Sequence, residues 1–183
     1  VRDYLSVKEQ STPAMSKIYY RFKNYVEENN CETEELLSDM FLYAKLYRIL
    51  LVGNTIDKRL NACIYRLNRL ETTVTRPFLL EVLRLYYANE ISIEDLVEVF
   101  LNTENYLFRR TICDLPTNML NKIFLLLHKE IVRYDSTTED YVNKFKFAIL
   151  SKKEKSRFPN DTEFMEAFAT KQIYLMNSKN KMY

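Results

Sequence analysis

The chain has 183 residues, with 27 basic and 25 acidic side chains and a formal net charge of +2 at pH 7. This length suits one domain or two small ones, and it lets the chain bury about 70% of the surface that its unfolded form exposes. A charge this balanced does not predict nucleic-acid binding by itself, so any basic surface has to be local. One glycine and four prolines are far below the usual ~7% and ~5%, which argues against β-hairpins, Rossmann turns and phosphate-binding loops. The composition therefore favours helices.

The three cysteines, Cys31, Cys63 and Cys113, include no close pair and no Cys-x-x-Cys motif. They indicate neither a zinc site nor a disulfide framework, and a reducing cytoplasm fits them best. The sequence has no charged leader with an apolar run and no span of ~20 apolar residues, so we expect neither secretion nor membrane insertion. Because it starts at Val1 and stops within the charged run KNKMY, we expect it to be part of a longer protein.

Apolar residues recur every three or four positions along most of the chain, which predicts about nine helices in an all-α, irregular multi-helix bundle. The first helix covers residues 1–8 and the second lies within 14–28. The third begins at Thr33, which can cap it, and ends near Gly53. We expect it to bury one set of side chains, namely Leu36, Leu37, Met40, Tyr43, Ala44, Tyr47 and Leu51.

Start signals for the later helices follow in regular order, and no run of residues predicts a strand with a partner. In chain order the signals are Asp57, Thr75 with Pro77, Ser92 with Asp95, Ser136 with Glu139, and Asn160 with Glu163. The pairs that begin at Ser92, Ser136 and Asn160 have the spacing of a capping box. We find no repeat of the length that a helical solenoid requires.

The most specific stretch is ENYLFRRTICDLPTNMLNKIFLLLHK, within a predicted helix, corner and helix that span residues 92–132. The first helix ends in Arg109 and Arg110, whose charges oppose the negative end of the helix dipole and which can bond its last carbonyls. Pro116 then prevents the helix from continuing. The corner is therefore predicted to be tight and polar.

The second helix of this motif can be capped by Thr117 or Asn118. Asn118 and Asn121 could alternatively line a surface that a neighbouring domain uses. His128, the only histidine, lies on the apolar stripe of this helix with no acid or thiol at the spacing of metal ligands. It is predicted to be a partly buried histidine with satisfied hydrogen bonds. We predict no catalytic residue and no metal ligand in the chain.

Two interpretations of Arg109 and Arg110 remain open from the sequence. One arginine can bond carbonyls at the helix end or pair with Glu104 or Asp114, which would fix the corner. Alternatively, the two arginines contact a phosphate or a neighbouring domain.

Two groups of basic residues are candidates for contact with a nucleic-acid backbone: Arg59, Arg66 and Arg69 on one helix, and Lys152, Lys153 and Lys155 near the C-terminal end. Such groups are usually solvated helix faces. Facing a duplex, they would neutralise phosphates and give binding that depends on salt but not on base sequence.

Three stretches resemble GmrSD-like proteins, the modification-dependent (type IV) restriction family. YLFRRTICDLPTNMLNKIF resembles the signature of their middle helical region. VRDYL followed by IYYRFKNYV resembles the segment after their N-terminal DGQQR-motif domain, and FPNDTEFMEAFATKQIY resembles the lead-in to their C-terminal HNH nuclease domain. The chain itself has no DGQQR motif, and one histidine is too few for an HNH site.

The resemblance implies that residues 1–150 form a helical domain and that residues 151–183 form a basic linker and helix leading toward an HNH domain. The intact protein would be a defence nuclease that uses a nucleotide and a divalent metal, with neither bound by this chain. The chain would connect its flanking domains and contact the DNA backbone. The alternative is a helical protein-interaction scaffold with no nucleic-acid role, which the nearly neutral charge favours. Either function is compatible with a homo-oligomer, and neither involves a membrane.

Overall fold

A computed structural model describes residues 1–70 and 72–172, and in these residues the chain is all-α. The helices are α1 Arg2–Glu9, α2 Ile18–Glu28, α3 Thr33–Val52, α4 Lys58–Arg69, α5 Arg76–Tyr87, α6 Ile93–Ile112, α7 Leu120–Val132, α8 Tyr141–Leu150 and α9 Asp161–Thr170. Short 3-10 helices at Met15–Lys17 and Glu154–Ser156 precede α2 and α9. The predicted all-α bundle of about nine helices is confirmed. No helix in the described ranges combines the length and the apolar character needed to cross a membrane.

Helix α5 lies at the centre of the bundle and packs against α1, α3, α6 and α7. Its sequence, RPFLLEVLRLYY, is apolar on nearly every side, as a surrounded helix requires. The ring of Phe78 on α5 stacks on Phe145 of α8 at 5.6 Å between centroids and lies 6.1 Å from Phe124 of α7. Helix α6 packs across α4, α5, α8 and α9. The two halves of the chain therefore share one apolar core.

Several helix starts have the predicted caps. The side chain of Ser92 accepts a hydrogen bond from the backbone N–H of Asp95, and Asp95 bonds back to the N–H of Ser92. Asp57 accepts from two backbone N–H groups of the first turn of α4. Asn160 accepts from the N–H of Glu163 at 2.9 Å. These local bonds satisfy donors that have no partner within the helix.

The predicted caps of α3 and α8 are wrong. Thr33 is the first residue of α3 and makes no capping bond, because the cap position belongs to Glu32. Ser136 and Glu139 form no box, since α8 begins only after Asp140. Lys144 explains this difference: its ammonium donates to the carboxylate of Asp135 and to a carbonyl in the same loop, which folds the loop back over the start of α8.

Helix α3 faces the core only partly as expected: Leu36, Met40 and Tyr47 pack against the core as predicted, but three other predicted residues do not. Tyr43 and Leu46 are buried, but Leu37 is 60% exposed and Leu51 is 49% exposed. Ala44 is exposed too. Helix α3 carries apolar residues on all of its sides, so the sequence could not show which of them face the core.

Gly53 ends α3 with φ at +66°, and its N–H donates to the carbonyl of Ile49. A Cβ atom at this position would meet its nearest neighbours at 3.4 Å, which is ordinary contact. The cost of Gly53→Ala therefore comes from the left-handed backbone, and we expect it to lower the free energy of unfolding by about 1 to 2 kcal/mol. Gly53→Asn should cost less, because asparagine tolerates this conformation. Urea denaturation measures both, and equal midpoints for all three proteins would contradict the explanation.

Candidate functional site

The guanidinium of Arg110 is the centre of the candidate site. Its side chain is 2% exposed at the end of α6, and it donates to three backbone carbonyls. Nη2 donates to Pro116 in the corner at 2.6 Å, while Nη1 donates to Lys155 at 2.9 Å and to Arg157 at 3.2 Å. One side chain therefore joins the corner to a segment 45 residues further along the chain. Burial lowers the pKa of Arg110, but an arginine stays charged in a protein and has to be given acceptors.

Two other side chains of α6, those of Tyr106 and Arg109, bind the same downstream segment. The hydroxyl of Tyr106 donates to the carbonyl of Ser156 at 2.7 Å. Arg109 donates to the carbonyl of Pro159 at 3.0 Å and pairs with Asp161 at 2.6 Å. Its guanidinium also lies over the ring of Phe164, 5.0 Å from the centroid.

We call residues 155–161 the docked segment. Its residues 157–160 are neither helix nor strand, and four of its carbonyls, those of Lys155, Ser156, Arg157 and Pro159, accept from side chains of α6. Buried carbonyls need partners, and Tyr106, Arg109 and Arg110 supply them. Since α9 begins inside this segment, the position of α9 follows from these bonds. The expected domain boundary at residue 150 coincides with the end of α8, while the segment beyond it is bonded to α6.

Arg109 and Arg110 are both bonded within the chain. Arg110 bonds the carbonyl of Pro116, as the first interpretation requires. Neither arginine pairs with the predicted acids: Glu104 is bound by Arg66, and Asp114 by Lys171.

Three predicted polar residues of the corner, Thr117, Asn118 and Asn121, are exposed. The predicted cap is absent, because Met119 occupies the cap position of α7 without a side-chain bond. The first bond there runs from the N–H of Leu120 to the carbonyl of Thr117. The asparagines are thus open to solvent at the end of the bundle.

The predicted basic stripe on α4 is largely paired with carboxylates. Arg66 binds Glu104 of α6 through Nε at 2.5 Å and Nη2 at 2.9 Å. Arg59 binds Asp57 at 2.6 Å, which lowers the pKa of that carboxyl to about 2 through its hydrogen bonds. Arg69 donates to the hydroxyl of a tyrosine one turn earlier. The Arg66 pair holds α4 to α6, and all three bonds occupy donors that a phosphate would need.

The lysines near the C-terminal end differ from one another. Lys152 binds Glu130 of α7 through both carboxylate oxygens. Lys153 and Lys155 are exposed, and no ion pair involves either of them within residues 1–70 and 72–172. Three of the six predicted backbone-binding cations, Arg69, Lys153 and Lys155, therefore have no carboxylate partner among the described residues.

A polar cluster around Glu81 was not predicted from the sequence. Glu81 of α5 accepts from the hydroxyl of Tyr43 at 3.0 Å and from Arg84 at 2.8 Å. Nε2 of His128 is 3.7 Å away, and Nδ1 of His128 lies 3.0 Å from the hydroxyl of Tyr141. The signal was present, since two opposite charges three residues apart on an apolar helix have to be paired inside the protein.

A cavity of about 220 Å³ between α1, α3, α5 and α7 borders this cluster. Burial lowers the pKa of His128, although the nearby carboxylate of Glu81 partly opposes this effect. Burial also raises the pKa of Tyr43 and of Tyr141 far above the usual value, so both hydroxyls stay protonated. The expected partly buried histidine with a satisfied hydrogen bond is confirmed: the ring is bonded to Tyr141 of α8 and lies 3.7 Å from the Glu81 carboxylate of α5.

Cys63 and Cys113 do not have the surroundings of a nucleophile. Burial raises the pKa of both thiols, whereas a reactive cysteine needs a lowered pKa. Among the described residues, no three His, Cys, Asp or Glu side chains are grouped to hold a metal ion.

Replacing His128 with Gln should change how stability depends on pH. The unfolded chain takes up a proton at this histidine near pH 6.5, while burial holds the folded pKa lower. The wild-type protein should therefore lose stability relative to H128Q as the pH falls from about 7 to about 5. Since the chain has one histidine, urea unfolding of both proteins over this range isolates its contribution. Parallel stability profiles would contradict the effect.

No protein family, curated protein or solved structure matches this chain. The resemblance to GmrSD-like proteins therefore stays a prediction that rests on the three stretches quoted above. What the chain does has to be inferred from its own residues.

Proposed function

We propose that this chain is a non-catalytic helical module that holds the parts of a larger protein in fixed relative positions. The observation that carries the proposal is the buried guanidinium of Arg110, which binds carbonyls of the corner and of the docked segment. A connector must fix the position of the domain at one of its ends relative to the domain at its other end. An irregular segment tied down by arginine and tyrosine donors does so, whereas a solvated linker does not.

The side chains support a role without catalysis. His128 is held by Tyr141 and lies against Glu81, and the thiols of Cys63 and Cys113 have raised pKa values. A nucleophile requires a base within hydrogen-bond reach, and none of these groups has such an arrangement.

The resemblance extends the proposal to a definite setting. In a GmrSD-like protein this module would connect a nucleotide-dependent domain to an HNH nuclease domain. The stretch FPNDTEFMEAFATKQIY, which resembles the lead-in to the nuclease, begins at Phe158 inside the docked segment. The module would then fix the nuclease through the same bonds that fix α9.

Contact with the DNA backbone is the second part of the proposal, and Lys153 and Lys155 are the residues that support it. They lie at or beside the start of the docked segment, exposed, and without an ion pair among the described residues. Arg59, Arg66 and Lys152 argue for the alternative of a protein-interaction scaffold, because their charges are already balanced by carboxylates.

A distance measurement tests the connector function. Spin labels at Tyr65→Cys on α4 and Met165→Cys on α9, both exposed positions, should give one narrow distribution when Cys31 and Cys113 are replaced by serine. Arg110→Met should broaden it, because the carbonyls of the docked segment lose their donors, at a cost of roughly 3 kcal/mol of stability. Double electron–electron resonance measures the distribution of distances between the two labels, with labelled protein diluted in unlabelled protein.

Arg133→Met is the matched control, since Arg133 is exposed at the end of α7. It should leave the distribution narrow. A broad distribution in the protein that retains Arg110 would refute the connector function.

Fluorescence anisotropy with duplex DNA over a salt series tests the second part. The double variant Lys153→Ala with Lys155→Ala should bind more weakly. The slope of the logarithm of the binding constant against the logarithm of the salt concentration should fall in magnitude by about two, because each lysine neutralises about one phosphate. The control, Arg66→Ala with Glu104→Ala, removes a paired arginine at constant net charge and should bind as the wild type does. No binding at low salt would leave the scaffold alternative.

A further inference from the structure

The outward face of α3 is apolar although it faces solvent. Phe41 is 62% exposed and Leu37 60%, and the same face continues to Val52, which is 66% exposed. The opposite side of this helix buries Tyr43 and Leu46 in the core. A helix that is apolar on both sides normally packs on both sides, and a contiguous apolar patch with a charged rim marks an interaction site.

The charged residues on this face have no ion-pair partners within the described part of the chain. Glu34 lies in the first turn of α3, and Lys45 and Arg48 lie in its second half; all three are exposed. Elsewhere in the bundle, charges on α4, α6 and α8 pair with one another. On the face itself, the ammonium of Lys45 lies over the ring of Phe41, at 4.3 Å from the centroid.

The arrangement of the face is symmetric about Phe41. Glu34 precedes it by seven residues and Arg48 follows it by seven, which is two helical turns or roughly 10 Å in each direction. Ser38 and Ala44, three residues away on either side, are small and permit close approach. An antiparallel copy of the helix that crosses at Phe41 therefore meets opposite charges at both ends.

We propose that this face is a homodimer interface in which α3 of one copy packs antiparallel against α3 of another. Phe41 packs against Phe41 at the twofold axis, and Glu34 of each copy pairs with Arg48 of the other. The aliphatic stem of Lys45 covers Leu37 of the other copy. A twofold interface has to be complementary to itself, and this face is acidic at Glu34, basic at Lys45 and Arg48, and apolar at Leu37 and Phe41 between them. A partner of a single charge would fit only one half of it.

Sedimentation equilibrium over a concentration series tests the dimer. Phe41→Asp should raise the dissociation constant at least about tenfold, because it places two carboxylates at the axis. Met165→Asp on α9 is the control: Met165 is equally exposed, at 61%, and the variant should leave the constant unchanged. A wild-type chain that is monomeric up to its highest soluble concentration would overturn the proposal.

Charge exchange tests the register. Glu34→Lys and Arg48→Glu should each weaken the dimer about tenfold, since each change replaces two attractive pairs with two repulsive ones. The double variant should return to within about threefold of the wild type, because the pairs are then attractive again with their charges exchanged.

A mixture of the two single variants should form heterodimers. The introduced lysine of one chain then faces the introduced glutamate of the other, and the retained Arg48 faces the retained Glu34. Circular dichroism checks that each variant is folded. No recovery in either the double variant or the mixture would reject this register.

Discussion

The guanidinium of Arg110 has to find acceptors inside the protein, because it is 2% exposed and does not lose its proton. The carbonyls of Lys155, Ser156, Arg157 and Pro159 in the docked segment have the opposite need, and side chains of α6 donate to them. Nη1 of Arg110 donates to two of these carbonyls and Nη2 to that of Pro116 in the corner, while its buried Nε has no partner among the described residues. The end of α6, the corner and the start of α9 are consequently fixed by one set of bonds.

Ion pairs between helices determine how much net charge each part of the surface carries. The arginines of α4 read as a basic stripe in the sequence, but Arg59 and Arg66 are bound to carboxylates, the latter to Glu104 of α6. Such pairs on the surface contribute little stability, although they orient the helices and leave the local charge close to zero. The cations without such partners in the described ranges are therefore the informative ones, and they include Lys153, Lys155 and those on the outward face of α3.

Two apolar helices, α3 and α5, have different surroundings. Helix α5 is enclosed by α1, α3, α6 and α7, and its charged Glu81 is held by Tyr43 and Arg84. Helix α3 packs on one side only and leaves Phe41 in solvent. Apolar periodicity predicts that one side of a helix is buried, but it does not say whether the element that covers this side belongs to the same chain.

The sequence by itself determined what depends on neighbours within a few residues: the order of the helices, the capping box of Ser92, the cap of Asp57 and the stop at Gly53. Such signals fail where a side chain outside the capping positions intervenes, as Lys144 of α8 does by bonding the loop before that helix. Only the tertiary structure decided that Arg110 binds carbonyls 45 and 47 residues away and that Glu81 meets His128. The physical reason is range: caps and helical periodicity act over one or two turns, while the choice of a partner for a buried charge is made by packing of the whole chain.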